Sequence, residues 1–348
     1  MLKSMNLQEM ANELHRIRLT ANDYIAPASK ISMDNDGKLV LGDDNMVADR
    51  FSLLRNAERQ MSQYTKIPQA YYDVMPAELK AQNVNHWLST MPPNSQRMIR
   101  TVDGHVRGMM SDSYRIIDNY DLAEAVLPVL NERSDLVIDS AHVGEDRFFL
   151  KALFPKTEME VGVGDAVQAG VVISNSEVGN GAVKVEPLVY RLVCSNGMIS
   201  ASAMRKFHVG SKADQNEEHR RLLREETKTA KDKAFFLEVA DIVRGSMEMA
   251  VFEKEVRAMA ETKNWKIEGD VVESVQRIGK KLGLNESDNQ GVLGHLIEGG
   301  SLNGFGMLNA ITRHAQDVDS YERSVDLERA GGKITQMSAR EWNQLTAA

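Results

Sequence analysis

The sequence of 348 residues, with 42% hydrophobic and 26% charged residues, has the composition of an ordinary globular protein, which excludes disorder over most of its length. Its single cysteine, Cys194, excludes an internal disulfide framework and fits a reducing compartment. The net charge of −8 predicts long-range repulsion from DNA, so binding to nucleic acid would require a local basic patch.

No apolar stretch approaches the roughly 20 residues that a membrane-spanning helix needs. The N-terminal segment alternates polar and apolar residues, so it lacks the continuous apolar core of a signal peptide. We therefore expect a cytoplasmic protein that has no membrane partner.

The first predicted region, residues 1–92, combines helices with one hairpin. The hairpin turns at Asp36-Gly37, and further helices are predicted over residues 51–90. The acidic residues around the turn suggest calcium, but Lys38 stands where an EF-hand loop needs an oxygen ligand. A calcium site is therefore not predicted.

The central region, residues 93–212, changes from helical spacing to alternating strands that are joined by tight turns. Its one predicted helix, Asn119–Leu130, has apolar residues at helical spacing and Asp118 or Asn119 as its cap. Sequential hairpins with an inserted helix predict an α+β fold, in which a curved antiparallel sheet carries helices on one face. The predicted turns lie at Asp103-Gly104, Gly144, Gly179 to Gly181 and Asn196-Gly197.

The third region, residues 213–348, is predicted to be almost wholly helical, so that helical regions flank the core on both sides. Three apolar stripes at helical spacing support this prediction. They are Phe235, Val239, Ile242, Val243 and Ala250; Val271, Val275, Ile278 and Leu282; and Leu308, Ile311, Ala315 and Val318.

The last predicted hairpin, PLVYRLVCSNGMISASAMRKFH over residues 187–208, has the strongest local signal. Asn196-Gly197 favours a tight turn because both central residues of such a turn need positive φ. Side-chain alternation places Arg191 on the same strand face as two valines. A lone cation there extends to the sheet edge, pairs with a buried acid or faces a ligand groove.

Positive charge is concentrated between Tyr190 and Lys233, where ten Lys and Arg accompany six Asp and Glu. Four of these cations follow the spacing i, i+4, i+8, i+11 and would form one basic ridge on a helix. The alternative is a solvated helix face, because nearby Glu residues are spaced for surface ion pairs with its cations. The four ridge residues are Arg220, Arg224, Lys228 and Lys231.

Basic and aromatic residues define a predicted nucleic-acid interface. Tyr114 would stack on a base and Arg115 would contact phosphate, although a strand-end tyrosine of the core fits the same pattern. The complete predicted set is Arg107, Tyr114, Arg115, Arg191, Arg205, Lys206, Arg220, Arg224, Lys228 and Lys231.

Motifs for a metal or a nucleotide are not found in the sequence. The eight histidines lack the short spacings of zinc sites, and there is no second cysteine. The segment Gly331-Gly332-Lys333 fails the P-loop pattern because Ile334 follows, where Ser or Thr is required. We therefore predict no metal and no cofactor.

Catalytic motifs are also lacking. No G-x-S-x-G elbow occurs, and Gly162 and Gly164 do not precede a helix in a βαβ unit. Cys194 and His208 could act as a nucleophile pair, but a lone cysteine on a strand is usually a small buried hydrophobe. We predict a non-enzymatic protein without catalytic residues.

Several blocks of the sequence resemble a large family of phage- and plasmid-encoded proteins of unknown function. The resemblance extends from Ile67 to Leu345 and implies a mobile-element setting, near genes of replication, recombination or host takeover. The first sixty or so residues show no such resemblance. The blocks are IPQAYYDVM, SDSYRIIDNYDLAEAVLPVL, VYRLVCSNGMI, LNGFGMLNAITRHAQDVDSYERSVDLERAGG and REWNQL.

Two hypotheses of function follow. In the first, the protein binds single-stranded DNA in a basic groove, as in the phage annealing proteins of the Rad-fifty-two type, to which the predicted sheet has a fold-level likeness. In the second, it binds a host or phage protein and no nucleic acid. Only the first predicts affinity that falls steeply with salt. Nineteen methionines and open sheet edges further suggest a homo-oligomer.

Overall fold

The computed structural model describes residues 4–42, 49–92, 95–200, 204–206 and 225–347. These residues form twelve α-helices and twelve strands in two separate sheets. The predicted α+β class is confirmed, with an antiparallel hairpin-rich sheet, an inserted helix and helices toward both ends of the chain.

The helices are named in chain order. They are α1 Leu7–Thr20, α2 Arg55–Tyr64, α3 Gln69–Val74, α4 Ala77–Ser89, α5 Asn119–Leu130, α6 Glu225–Ser246, α7 Met249–Glu261, α8 Val271–Leu282, α9 Glu286–Gly299, α10 Gly304–His314, α11 Tyr321–Ile334 and α12 Ala339–Thr346. The predicted helix Asn119–Leu130 is confirmed at both ends, and its N-cap is Asp118.

The strands are named in the same way. They are β1 Asn22–Pro27, β2 Ile31–Met33, β3 Leu39–Leu41, β4 Asp49–Leu53, β5 Gln96–Val102, β6 His105–Ser111, β7 Val137–Val143, β8 Phe148–Gly162, β9 Asp165–Asn175, β10 Val183–Arg191, β11 Asn196–Ile199 and β12 Met204–Lys206.

The first sheet has the order β1-β5-β6-β4-β3-β2, and a parallel pairing joins β4 to β6. Its two predicted hairpins are confirmed, and Asp103 and Gly104 both have the positive φ that the turn requires. Helices α2, α3 and α4 supply apolar residues such as Met61 and Tyr72 to the core on this sheet. Strands that precede residue 93 in the chain therefore pair with strands that follow it, in one sheet.

The second sheet is antiparallel, with the order β11-β10-β9-β8-β7, and β12 pairs with β10 beyond the end of β11. Because side chains alternate along a strand, its two faces form different cores. One face, with Val185 and Val189, packs beneath α5, α6 and α7. The other, with Leu188, packs against Tyr321 and Val325 of α11. The second sheet is thus covered by helices on both faces.

The predicted turn at Asn196-Gly197 is wrong, because these residues begin strand β11 and pair with Arg191 and Tyr190. The chain turns over residues 192–195 instead. Tertiary contacts explain the shift: the Asn196 side chain hydrogen-bonds to α10, and a Cβ at Gly197 would lie 2.8 Å from Leu188. Glycine is needed here for close packing.

A buried ion pair joins the two sheets. Arg107 of β6 and Glu177 of the β9–β10 turn are both nearly inaccessible to solvent, with 2.5 Å between Nη1 and Oε2. The guanidinium also donates to the carbonyls of Gly144 and Glu145 in the β7–β8 turn. The second carboxylate oxygen of Glu177 accepts from the backbone N–H of Asn119, at the start of α5. One ion pair therefore holds two sheets and a helix terminus.

We expect Glu177→Gln to destabilise the protein by about 3–5 kcal/mol, since it leaves the buried charge of Arg107 without its counterion. Urea unfolding followed by circular dichroism measures this change. The control is Glu253→Gln, which breaks the exposed pair with Arg257 and should cost about 0.5 kcal/mol or less. Equal losses in the two variants would contradict the role of the buried pair.

Candidate nucleic-acid interface

A groove of about 280 Å³ lies where strand β10 meets helix α11 and the end of α8. Residues of β10 that face α11 form its floor, and α11 forms one wall. It is lined by Lys184, Glu186, Ser200, Leu282, Leu284, Arg323, Asp326, Arg329, Ala330 and Lys333. The groove contains four cationic side chains and two carboxylates, so it is locally positive on a chain of net charge −8.

Ion pairs position the two arginines of the groove. Arg329 donates to both carboxylate oxygens of Glu186 and, at 3.0 Å, to Ser174 on β9. Arg323 donates to the buried carboxylate of Asp288 at the start of α9. Such paired guanidiniums keep further N–H groups for a second anion, because each has five donors.

The lysines complete the positive charge. Lys184 is half-buried on β10, and Lys333 is exposed near the end of α11. The register of β12 places Arg205 opposite Lys184 and Lys206 opposite Val183. Two predicted binding residues therefore adjoin the groove through their backbone.

The predicted ridge is only partly within the described residues. Arg220 and Arg224 lie outside them. Lys228 is described only as part of the backbone of α6, and Lys231 is exposed on that helix. The ridge remains a prediction.

Three other predicted binding residues have partners inside the protein. Arg107 is buried with Glu177 as described above, and the hydroxyl of Tyr114 donates to the carbonyl of Ser176. Arg115 pairs with Asp232 of α6. These contacts give the side chains structural roles, so we do not include them in the interface.

Arg191 also points inward. Its guanidinium lies 2.5 Å from the carboxylate of Asp165 and 5.5 Å from the ring centre of Phe305. Of the three alternatives for a cation on this strand, the structure shows pairing with an acid, the partly buried Asp165.

The residues of α11 and β10 that line the groove are not among those predicted from the sequence. On α11 the three cations are balanced by Glu322, Asp326 and Glu328, so the helix has no net charge that would indicate a binding surface. Lys184 is an isolated cation between two valines of β10. Side chains alternate along β10 and therefore place Lys184 and Glu186 on one face of the strand. This pattern could have identified the floor of the groove.

A cluster of possible metal ligands lies elsewhere, at the contact between α9 and α10. His295, His314 and Asp317 each offer one ligand atom, and these atoms lie within 4.8 Å of one another. The residues are too far apart in sequence to form a short zinc motif, although His314-x-x-Asp317 is a spacing that a helix end brings together.

A carboxyl group near the groove titrates near neutral pH. Burial, a hydrogen bond with Asp146 and the charge of Asp146 raise the pKa of Glu322 to about 7. Arg147, 4.0 Å away, opposes this shift. Folding therefore favours the protonated carboxyl, so this group stabilises the fold below its unfolded pKa of 4.5 and loses that effect as pH rises through about 7.

We expect Glu322→Gln to unfold at a higher temperature than the wild type at pH 8.5, because the amide cannot ionise at this site. The difference should shrink toward zero near pH 5. Thermal unfolding by circular dichroism at several pH values measures it, with the exposed Glu124→Gln as control. A difference that does not change with pH would contradict the raised pKa.

Residues 106–274 match the family model described as Domain of unknown function (DUF932). The chain is thus an α+β protein in which residues 106–274 match this family, and the predicted resemblance to a family of unknown function is confirmed over that range. The blocks at 111–130 and 189–199 fall within the match, whereas those at 67–75 and 302–332 lie outside it.

No curated protein and no solved structure matches the chain significantly. Among the described residues, no helix has both the length and the apolar character needed to cross a bilayer.

Proposed function

We propose that the protein binds single-stranded DNA in the groove between β10 and α11. The observation that carries this proposal is the concentration of four cations in one concave site of an acidic protein. A phosphate backbone is the polyanion that such a site would attract, and its counterions would be released on binding.

The dimensions of the groove favour a single strand over a duplex. Its volume of about 280 Å³ lies near the lower end of small-molecule sites, roughly 300 Å³. A backbone segment with one or two phosphates fits such a volume, whereas a duplex would meet only the rim. Binding should therefore prefer single strands.

The chemistry of the groove indicates contacts to phosphate and not to bases. Its lining within the described residues includes no aromatic side chain that could stack on a base. Arginine and lysine donors read phosphate without regard to sequence. We therefore expect little dependence on base sequence.

Strand β12 would extend the contact, since its pairing with β10 places the backbone of Arg205 opposite Lys184. Lys228 and Lys231 belong to α6, which packs on the other face of the sheet, so they would form a separate part of the contact. An annealing role in recombination or replication of a mobile element, by a homo-oligomer that aligns several grooves, is the function that we propose for this surface.

The test is fluorescence anisotropy with labelled single-stranded and double-stranded oligonucleotides at about 50 and 200 mM salt, where phosphate-driven affinity changes strongly. We expect salt-sensitive binding that is tighter for the single strand. The double variant Lys184→Gln and Lys333→Gln should lower the salt slope by about 1.4, since each phosphate contact to a single strand contributes ~0.7.

The matched control is Lys66→Gln with Lys254→Gln, which removes the same charge from exposed sites away from the groove. It should leave the salt slope unchanged. Equal decreases of the salt slope in both double variants would show that the overall charge of the protein attracts DNA and that no defined groove binds it.

The ridge is tested separately by Arg220→Glu, Arg224→Glu and Lys228→Glu together. Unchanged DNA affinity in that variant would remove the ridge from the interface. Absence of binding by the wild type at the lower salt would reject the proposal and favour a host or phage protein as partner, to be sought by pull-down.

A further inference from the structure

We infer that His295, His314 and Asp317 form a binding site for a divalent transition-metal ion, with Zn²⁺ as the ion that suits them best. The site lies outside the proposed DNA groove, although Arg323 of the groove hydrogen-bonds to its supporting residue Asp288. Two imidazoles and a carboxylate are a ligand set that zinc accepts, with a further position left for water. The ligand atoms lie within 4.8 Å of one another.

The three groups already lie close together. Asp317 Oδ2 and Nε2 of His295 share a hydrogen bond of 2.5 Å, which a bound ion would replace, and Asp317 Oδ2 lies 3.9 Å from Nδ1 of His314. Tetrahedral ligands at 2.0–2.1 Å from zinc are about 3.4 Å apart, so rotation of the exposed carboxylate would equalise the two distances. The required movement is on the order of 1 Å.

The surroundings of His314 are the stronger argument. Its Nε2 lies 3.5 Å from Oδ1 of Asp288, which is buried. The carboxylate of Asp288 accepts hydrogen bonds from Arg323 and from the backbone N–H of Asn285, which hold it in place. One ring nitrogen of His314 therefore lies beside a fixed carboxylate, and the other, Nδ1, is on the opposite side of the ring.

Nδ1 of His314 is buried and has no hydrogen-bond partner among the described residues. It lies 3.9 Å from Oδ2 of Asp317. A carboxylate on the far nitrogen of a metal-ligating histidine is the usual support of such ligands, because it sets the tautomer and the ring orientation. Asp288 has that role here.

A glycine on α9 leaves room for the imidazole ring of His314. A Cβ at Gly291 would lie 2.3 Å from Nδ1 of His314, so only glycine allows the imidazole to lie against α9 at this level. His295 is one turn further along the same helix face. The sequence therefore places a small residue and a ligand where α9 meets α10.

A bound ion would join α9, α10 and the turn before α11. His295 belongs to α9, His314 ends α10, and the backbone N–H of Asp317 donates to the carbonyl of His314. Because Asp317 is 43% exposed, the ion would be reached from solvent. The site takes a free divalent cation and needs no partner chain.

The test uses tag-free full-length protein that has been treated with EDTA and dialysed. Co²⁺ titration followed by visible absorption, and Zn²⁺ titration by calorimetry, should each show one equivalent bound. We expect the d–d bands of four-coordinate Co²⁺. Asp317→Asn and His295→Ala should abolish these bands, while the exposed His105→Ala should keep them.

A second variant separates the metal site from simple loss of fold. Asp288→Asn should weaken Zn²⁺ affinity by about 10–100-fold without removing a ligand, as loss of a supporting carboxylate does. Wild-type protein that binds no Co²⁺ or Zn²⁺ would overturn the inference. So would binding that is equally strong in Asp317→Asn, in His295→Ala and in the wild type.

Discussion

The buried pair of Arg107 and Glu177 is the interaction on which the architecture depends. It is the point where strand β6 of the first sheet, the turns of the second sheet and the start of α5 meet. Two charges removed from water are stable only if every polar atom around them is satisfied, and here two backbone carbonyls and a helix N–H do so. A small change in the relative position of the sheets would break these bonds together, so the pair specifies one arrangement of the two sheets.

Helix α11 has the same importance for the surface of the second sheet. Its apolar side meets the sheet through Tyr321 and Val325, and Glu328 forms a buried ion pair with Lys151 of β8. Arg329 of the same helix binds Glu186 on β10. The contacts that fix the helix are therefore also the contacts that shape the groove, and stability and charge at this site come from one set of residues.

Local signals allowed much of the fold to be predicted. The turn at Asp103-Gly104 and the helix Asn119–Leu130 depend on backbone preferences and spacing that a few residues contain. The predicted turn at Asn196-Gly197 was wrong because Gly197 packs against Leu188 within strand β11. Local turn preferences do not contain such tertiary contacts. The groove and the histidine cluster combine residues distant in sequence, such as Glu186 with Arg329, and no spacing rule relates them. The pairing of Arg191 with Asp165 likewise joins residues 26 positions apart in the sequence.

The pairing of β10 with α11 has a consequence for how the protein is made. Glu186 and Arg329 are separated by 143 residues, and Lys151 and Glu328 by 177, so these contacts have very high contact order. Loop-closure entropy must be overcome before such contacts add stability, which makes them late events in folding. Since synthesis runs from the N-terminus, the second sheet leaves the ribosome long before α11 does. The face of that sheet with Leu188 and Lys151 is then uncovered in the nascent chain, and the groove exists only once residue 333 has emerged.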